Sequence, residues 1–100
     1  MKISVKIHKS YRTVVAVCDS DLLGKKFEEG IRQLDIAERF YKGEEMEEEA
    51  AIQLMQDQNR EDATFNIVGK NAVALAIKAG IIKDEDSAKI NNIPYALRLL

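Results

Sequence analysis

Lys2-Ile3-Ser4-Val5-Lys6-Ile7-His8 and Thr13-Val14-Val15-Ala16-Val17-Cys18, joined by the polar step Lys9-Ser10-Tyr11-Arg12, decide the fold of this chain. Ile3, Val5 and Ile7 alternate with Lys2, Ser4, Lys6 and His8, the two-residue period of a strand with one wet face. The second run is β-branched and apolar almost throughout, as a strand buried on both faces must be. A short polar turn between them predicts an antiparallel hairpin that sets His8 near Thr13 and Ile3 near Cys18. The first strand then sits towards a sheet edge with its lysines outward, and the second lies inside the sheet. Val15 and Val17 require a second layer to cover them. The expected fold class is therefore α/β of the α+β kind: one domain over residues 1–100, with an N-terminal antiparallel hairpin, a mixed sheet and two main helices.

The rest of the chain fills in that plan. Asp19-Ser20-Asp21 is a helix-start signal, because short oxygen side chains accept the open N–H groups of a first turn. Leu22 and Leu23 turn inward, Gly24 ends the turn in a left-handed conformation, and Gly30 marks a second break. Residues 31–40 fit two readings, since Leu34 and Ile36 alternate like a strand whereas Ile36 and Phe40 have helical spacing. The carboxylates from Glu44 to Glu49 complement the positive end of a helix over residues 47–57, with Ala51, Leu54 and Met55 on its apolar face. A polar loop is expected over 57–63, a strand over 64–68, and an Ala-rich helix over 70–79 closed by Gly80. Ile81-Ile82 begins a last β region, residues 84–87 turn, and Asn91-Asn92 suits a hairpin. Pro94 confines Tyr95, Leu97 and Leu99 to an edge strand or an irregular extension, because proline cannot donate to a ladder.

Composition closes several functional doors. With 46% hydrophobic and 32% charged residues among 100, the chain is an ordinary globular protein. Its longest apolar run, residues 72–77, falls well short of the ~18 that suggest a membrane span. The polar residues of the first strand also break up any secretory leader, so a cytoplasmic protein without a membrane partner is expected. Cys18 is the single cysteine and His8 the single histidine, which excludes an internal disulfide and a Cys/His zinc site. The net charge of −2 is unevenly spread. Residues 1–18 carry four bases and no acid, residues 19–62 fourteen acids and six bases, and residues 63–100 five bases and three acids.

Val15-Ala16-Val17-Cys18-Asp19, Leu22-Leu23-Gly24-Lys25 and Phe27-Glu28-Glu29-Gly30, in that order, resemble the opening of the archaeal domain of unknown function numbered 424. Leu34-Asp35-Ile36, Phe40-Tyr41-Lys42-Gly43-Glu44-Glu45, Asn66-Ile67-Val68-Gly69 and Ile93-Pro94 continue the resemblance over nearly the whole chain. It implies a compact α/β protein of the archaeal cytoplasm and no activity. Cys18, Asp19, Gly24, Asn66, Gly69 and Pro94 are its motif positions, without an assigned role. One departure stands near the C-terminus, where the resemblance leads to a histidine after the proline and this chain has Tyr95.

Candidate chemistry is sparse. Cys18 ends a strand before a helix start, but the hairpin holds His8 about 17 Å away along the strands, too far for a thiolate–imidazole pair. Asp19 and Asp21 resemble part of a calcium loop, yet Leu23 stands where an oxygen ligand is required, which favours helix capping. No catalytic residue, metal or cofactor is therefore assigned. The strand–Gly69–Lys70–helix junction offers backbone N–H groups to an anion, although it lacks the second glycine and the Ser/Thr of a P-loop. Gly24-Lys25 is a second step of the same kind. The expected function is a non-enzymatic protein associated with RNA or a ribonucleoprotein. Its phosphate contacts would come from Lys2, Lys6, Lys9 and Arg12, with Lys25, Gly69 and Lys70. The alternatives are a small-anion or nucleotide-binding protein or enzyme using the Gly69-Lys70 turn, and a structural subunit that pairs through a sheet edge.

Overall fold

A computed structural model describes residues 2–99. Strands β1 (Ile3–His8) and β2 (Val14–Asp19) form the expected hairpin. Ile3 lies opposite Asp19 and His8 opposite Val14, one residue further along than the shorter turn predicts. The remaining elements are β3 (Lys26–Glu29), β4 (Arg32–Asp35), α1 (Glu38–Tyr41), β5 (Glu44–Met46), α2 (Glu48–Arg60), β6 (Thr64–Val68), α3 (Lys70–Lys78), β7 (Ala88–Ile90) and β8 (Ile93–Arg98). Six strands make one mixed sheet in the order β5-β1-β2-β6-β8-β7, parallel between β2 and β6 and antiparallel elsewhere. The ribbon β3–β4 stands apart from it. The fold class is α+β, as expected.

Strand alternation sends Ile3, Val5, Val15, Val17, Phe65 and Ile67 to one face, where they pack with Ala51 and Met55 of α2 and Ala72, Val73, Leu75 and Ala76 of α3. Ala51 and Met55 are one helical turn apart, so a single stripe of α2 is buried. That helix runs on to Arg60 through part of the expected polar loop, its wet side laced by Gln53 and Arg60, both donating to Asp57. The opposite face holds a second, smaller core. There Cys18, Val68 and Ile90 meet Leu34 and Ile36, with Leu22, Leu23, Phe27 and Tyr41 around them. Residues 31–40 thus contain both expected patterns in succession, a strand through Leu34 and then the single turn of α1. Ile81 and Ile82 are buried in the main core rather than starting a strand.

β8 lies between β6 and β7, inside the sheet, which corrects the edge position expected from Pro94. The geometry explains the exception. Gly69 donates its N–H to the Pro94 carbonyl at 2.8 Å, so an ordinary residue at 94 would return its own N–H to the Gly69 carbonyl. That carbonyl instead accepts from Val73 at 2.9 Å, as the first hydrogen bond of α3. The donor that proline lacks is therefore not missed. Asn91 and Asn92 both have positive φ, 52° and 67°, and make the tight β7–β8 turn.

The turn α1 is fastened to the sheet by one strand. Ser4 Oγ donates to the Tyr41 carbonyl at 3.0 Å and Lys6 Nζ to the Arg39 carbonyl at 2.8 Å. His8 Nε2 lies 2.8 Å from the Phe40 carbonyl, and since a carbonyl only accepts, that nitrogen carries the proton. Three outward side chains of β1 thus satisfy carbonyls that so short a helix leaves open. The His8 ring also stacks on Phe40, with centroids 4.6 Å apart.

Candidate functional site

Five of the residues singled out by sequence, Cys18, Asp19, Gly69, Lys70 and Pro94, meet at the carboxyl ends of the two parallel strands. β2 ends in Cys18 and Asp19, β6 ends in Val68 opposite Cys18, and Gly69 leads directly into α3. The Asp19 carboxylate is buried against this junction, accepting from the Ala72 N–H at 2.7 Å and the Asn71 N–H at 3.1 Å. The helix start read at Asp19 is a single 3-10 turn over Ser20–Leu22 that the Asp19 side chain does not cap; the carboxylate instead caps α3, which begins at Lys70. Burial pushes its pKa up, and the two amide bonds pull in the opposite direction. Gly69 has φ +112°, and a Cβ there would fall 2.4 Å from Asp19 Cγ. The amides that the Gly69-Lys70 turn offers to an external anion are thus already filled by the protein's own carboxylate. A shallow cleft of about 280 Å³ remains in front of it, lined by Asp19, Asp21, Lys70, Asn71, Asn92 and Pro94. Lys70 is exposed there, whereas Gly24 and Lys25 lie outside this lining, the Gly24 N–H donating to Ile36.

Cys18 is fully buried, and its Sγ lies 3.0 Å from the Asp19 carbonyl. Desolvation, reinforced by Asp19 and Asp21, pushes the thiol up to about 12. Ser4 is the partner of Cys18 across the hairpin, four residues along β1 from His8, or about 13 Å at strand rise. Sulfur and imidazole stay apart.

The basic hairpin divides. Lys2 pairs with Glu47 at 2.9 Å across the sheet edge, and Lys6 is engaged with the Arg39 carbonyl. Lys9 and Arg12 stand exposed in the β1–β2 loop, and among the described residues neither lies in an ion pair. Between them Tyr11 is entirely exposed, at 101%. Glu61 and Asp62 lie beside Tyr11 and Arg12 in a shallow depression.

The profile of the family described as Protein of unknown function (DUF424) matches residues 7–99. The chain belongs to this family. It is also similar to a crystal structure of an uncharacterized conserved protein from Methanopyrus kandleri, with 26% identity and a TM-score of 0.88 over 97% of this chain and 90% of that one. Comparison with curated proteins gave no match. Among the described residues of this DUF424 protein, no helix is long and apolar enough to cross a membrane.

The motif positions of the DUF424 chain fall into distinct places. Cys18, Asp19, Gly69 and Pro94 form one connected junction, and Gly24 closes the turn that follows it. Asn66 lies away from the junction, in the middle of the sheet's second face. Tyr95, standing where a histidine is expected, accepts a hydrogen bond from Arg32 Nη2 at 2.8 Å and ties the β3–β4 ribbon to β8. Sequence reasoning passed over Tyr11, Arg39 and Phe40. Only Tyr11 carried a local signal, as the single aromatic in a loop with two bases.

Proposed function

We propose that this protein is an RNA-binding interaction protein, acting alone or within a ribonucleoprotein, and that the β1–β2 loop is its point of attachment. The observation that carries this reading is Tyr11, wholly exposed between Lys9 and Arg12 at the tip of the β1–β2 hairpin. An aromatic ring held in solvent offers a face to an unstacked base, an interaction worth about 1–3 kcal/mol per base. The flanking cations suit the phosphates on either side of that base.

Charge placement supports the same orientation. Met46 of β5 lies opposite Ile3, so the acidic run from Glu44 to Glu49 gathers at the end of β1 remote from the loop. A polyanion is thereby steered to the loop end and repelled from the other. Glu61 and Asp62 follow α2, on the helical side of the sheet, and disfavour approach from there. The open approach is across the second face, where β1 presents Lys6 and His8.

Fluorescence anisotropy of a short labelled single-stranded RNA over a salt series tests the reading. Affinity should fall with salt, and Lys9→Glu with Arg12→Glu should weaken binding and flatten the slope by about 0.7 for each lost phosphate contact. Tyr11→Ala should weaken binding while leaving the slope unchanged. If the unaltered protein shows no salt-dependent association at low ionic strength, the reading is lost.

A further inference from the structure

The sheet has an open half on its second face. The β3–β4 ribbon covers the end near Cys18 and Val68, α1 lies along the β1 margin from Ser4 to His8, and the rest of the face over β2, β6 and β8 carries no helix. Register lines up Lys6, Ala16, Asn66 and Leu97 as one row across β1, β2, β6 and β8, with His8, Val14 and Thr64 as the next row. Ala16 forms the buried floor; Lys6, His8, Val14 and Asn66 are half-buried around it, and Leu97 is 56% exposed. None of these side chains is acidic. The row ends at Arg39 and at the stacked His8–Phe40 pair on one side, and the Tyr11 loop joins the adjacent end. Glu38, the one acid of α1, turns away from this surface towards Gly24.

We propose that this open half-sheet, built on Lys6, His8, Val14, Asn66 and Leu97, is the platform on which two or three consecutive bases of a single-stranded RNA lie. The proposal rests on the RNA reading given above and extends it from the loop to the sheet. The dimensions suit such a ligand, since three interstrand gaps make a row about 14 Å across, enough for a few splayed bases. The chemistry suits it as well. Val14 and Leu97 present apolar surface to base faces, and the edge is cationic. Asn66 carries both a donor and an acceptor, and among the described residues its side chain has no hydrogen-bond partner. This gives a role to a motif position that lies outside the Asp19–Gly69 junction.

Amide chemical shifts of the 15N-labelled protein, titrated with a single-stranded oligouridylate, locate the contact. Shifts are expected at His8, Val14, Asn66 and Leu97 as well as in the loop. Asn66→Ala and Leu97→Ser should each weaken binding roughly fivefold or more while leaving the salt slope unchanged, because neither removes a charge. Leu97 is exposed, so its replacement leaves the fold intact, which the unbound spectrum verifies. Salt-dependent binding with shifts confined to residues 9–12 would overturn the platform and leave the loop reading standing. Absence of binding would overturn both. Concentration-dependent shifts on this face without RNA would show a second copy covering it, and would also overturn the proposal.

Discussion

A Cβ atom at position 69 would stand 2.4 Å from Asp19 Cγ, so the buried carboxylate occupies space that only glycine leaves open. The backbone of Gly69, at φ +112° and ψ 152°, is also one that other residues scarcely adopt. Asp19 and Gly69, fifty positions apart, form a single structural unit.

Gly69→Ala is accordingly expected to lower stability by at least about 3 kcal/mol, from backbone strain and overlap together. Asp19→Ala removes the overlap but not the strain. Denaturant midpoints for the two single variants and the double variant should therefore show the double losing less than the sum, by about 1 kcal/mol or more. Additive losses would mean that the two residues do not share this space.

The pH dependence of stability tests the state of the Asp19 carboxylate. Burial holds its folded pKa above the ordinary 3.8. A raised acid binds its proton more tightly in the folded protein. Its contribution is therefore complete below the unfolded value and is lost as pH rises through the folded one. Taking Asp19→Asn as a non-titrating reference, the stability difference should move against the unaltered protein over that window. The opposite trend would show that the Asn71 and Ala72 amides outweigh burial. Asp19→Ala should cost about 1–2 kcal/mol near neutrality and, with those amides vacated, should regain stability as phosphate is added.

Cys18 should behave as an inert core residue. With its thiol pushed up to about 12 and no exposed surface, alkylation at mildly alkaline pH must await opening of the β2 region. The labelling rate should rise with denaturant in step with unfolding. Fast labelling of the native protein would contradict the burial. Cys18→Ala should cost about 1–3 kcal/mol, through the gap it leaves among Val68, Leu34 and Ile36.

How far the fold was legible in the sequence depends on the range of each interaction. The β1–β2 hairpin, β6 and α3 were legible because alternation and helical periodicity act over neighbouring residues. The β3–β4 ribbon was not, since only Phe27 and Leu34 among its strand residues escape exposure, and Arg32 and Glu29 tie it to Tyr95 and Asn91, far along the chain. β8 read as an edge because the local rule for Pro94 cannot show that Val73 takes the Gly69 carbonyl. The basic hairpin looked like one cationic face. Its breakdown depends on Glu47 and the Arg39 carbonyl, more than thirty positions from the lysines they engage. The Asp19-Ser20-Asp21 signal does mark a short turn, but the Asp19 carboxylate caps α3 rather than that turn, a partner that local sequence cannot show. Tyr11, by contrast, was marked within its own loop, by the two bases that flank it.

Ser4 joins the sheet to α1. It is fully buried, and its hydroxyl both donates to the Tyr41 carbonyl and accepts from the Gly43 N–H at 2.8 Å. Gly43 is pressed so close to β1 that a Cβ there would lie 2.2 Å from the Val5 carbonyl, so no rearrangement easily replaces the hydroxyl. Ser4→Ala leaves a carbonyl and an amide unsatisfied at this crossing and should cost about 2–3 kcal/mol. Hydrogen exchange should rise most at residues 40–43, with the main core helices changing only in proportion to global stability. Because α1 holds Phe40 on His8 and Arg39 beside Lys6, the same variant should weaken RNA binding without altering any charge. A Ser4→Ala protein that keeps both its protection at residues 40–43 and its RNA affinity would show that this one-turn helix neither needs β1 nor shapes the open sheet face.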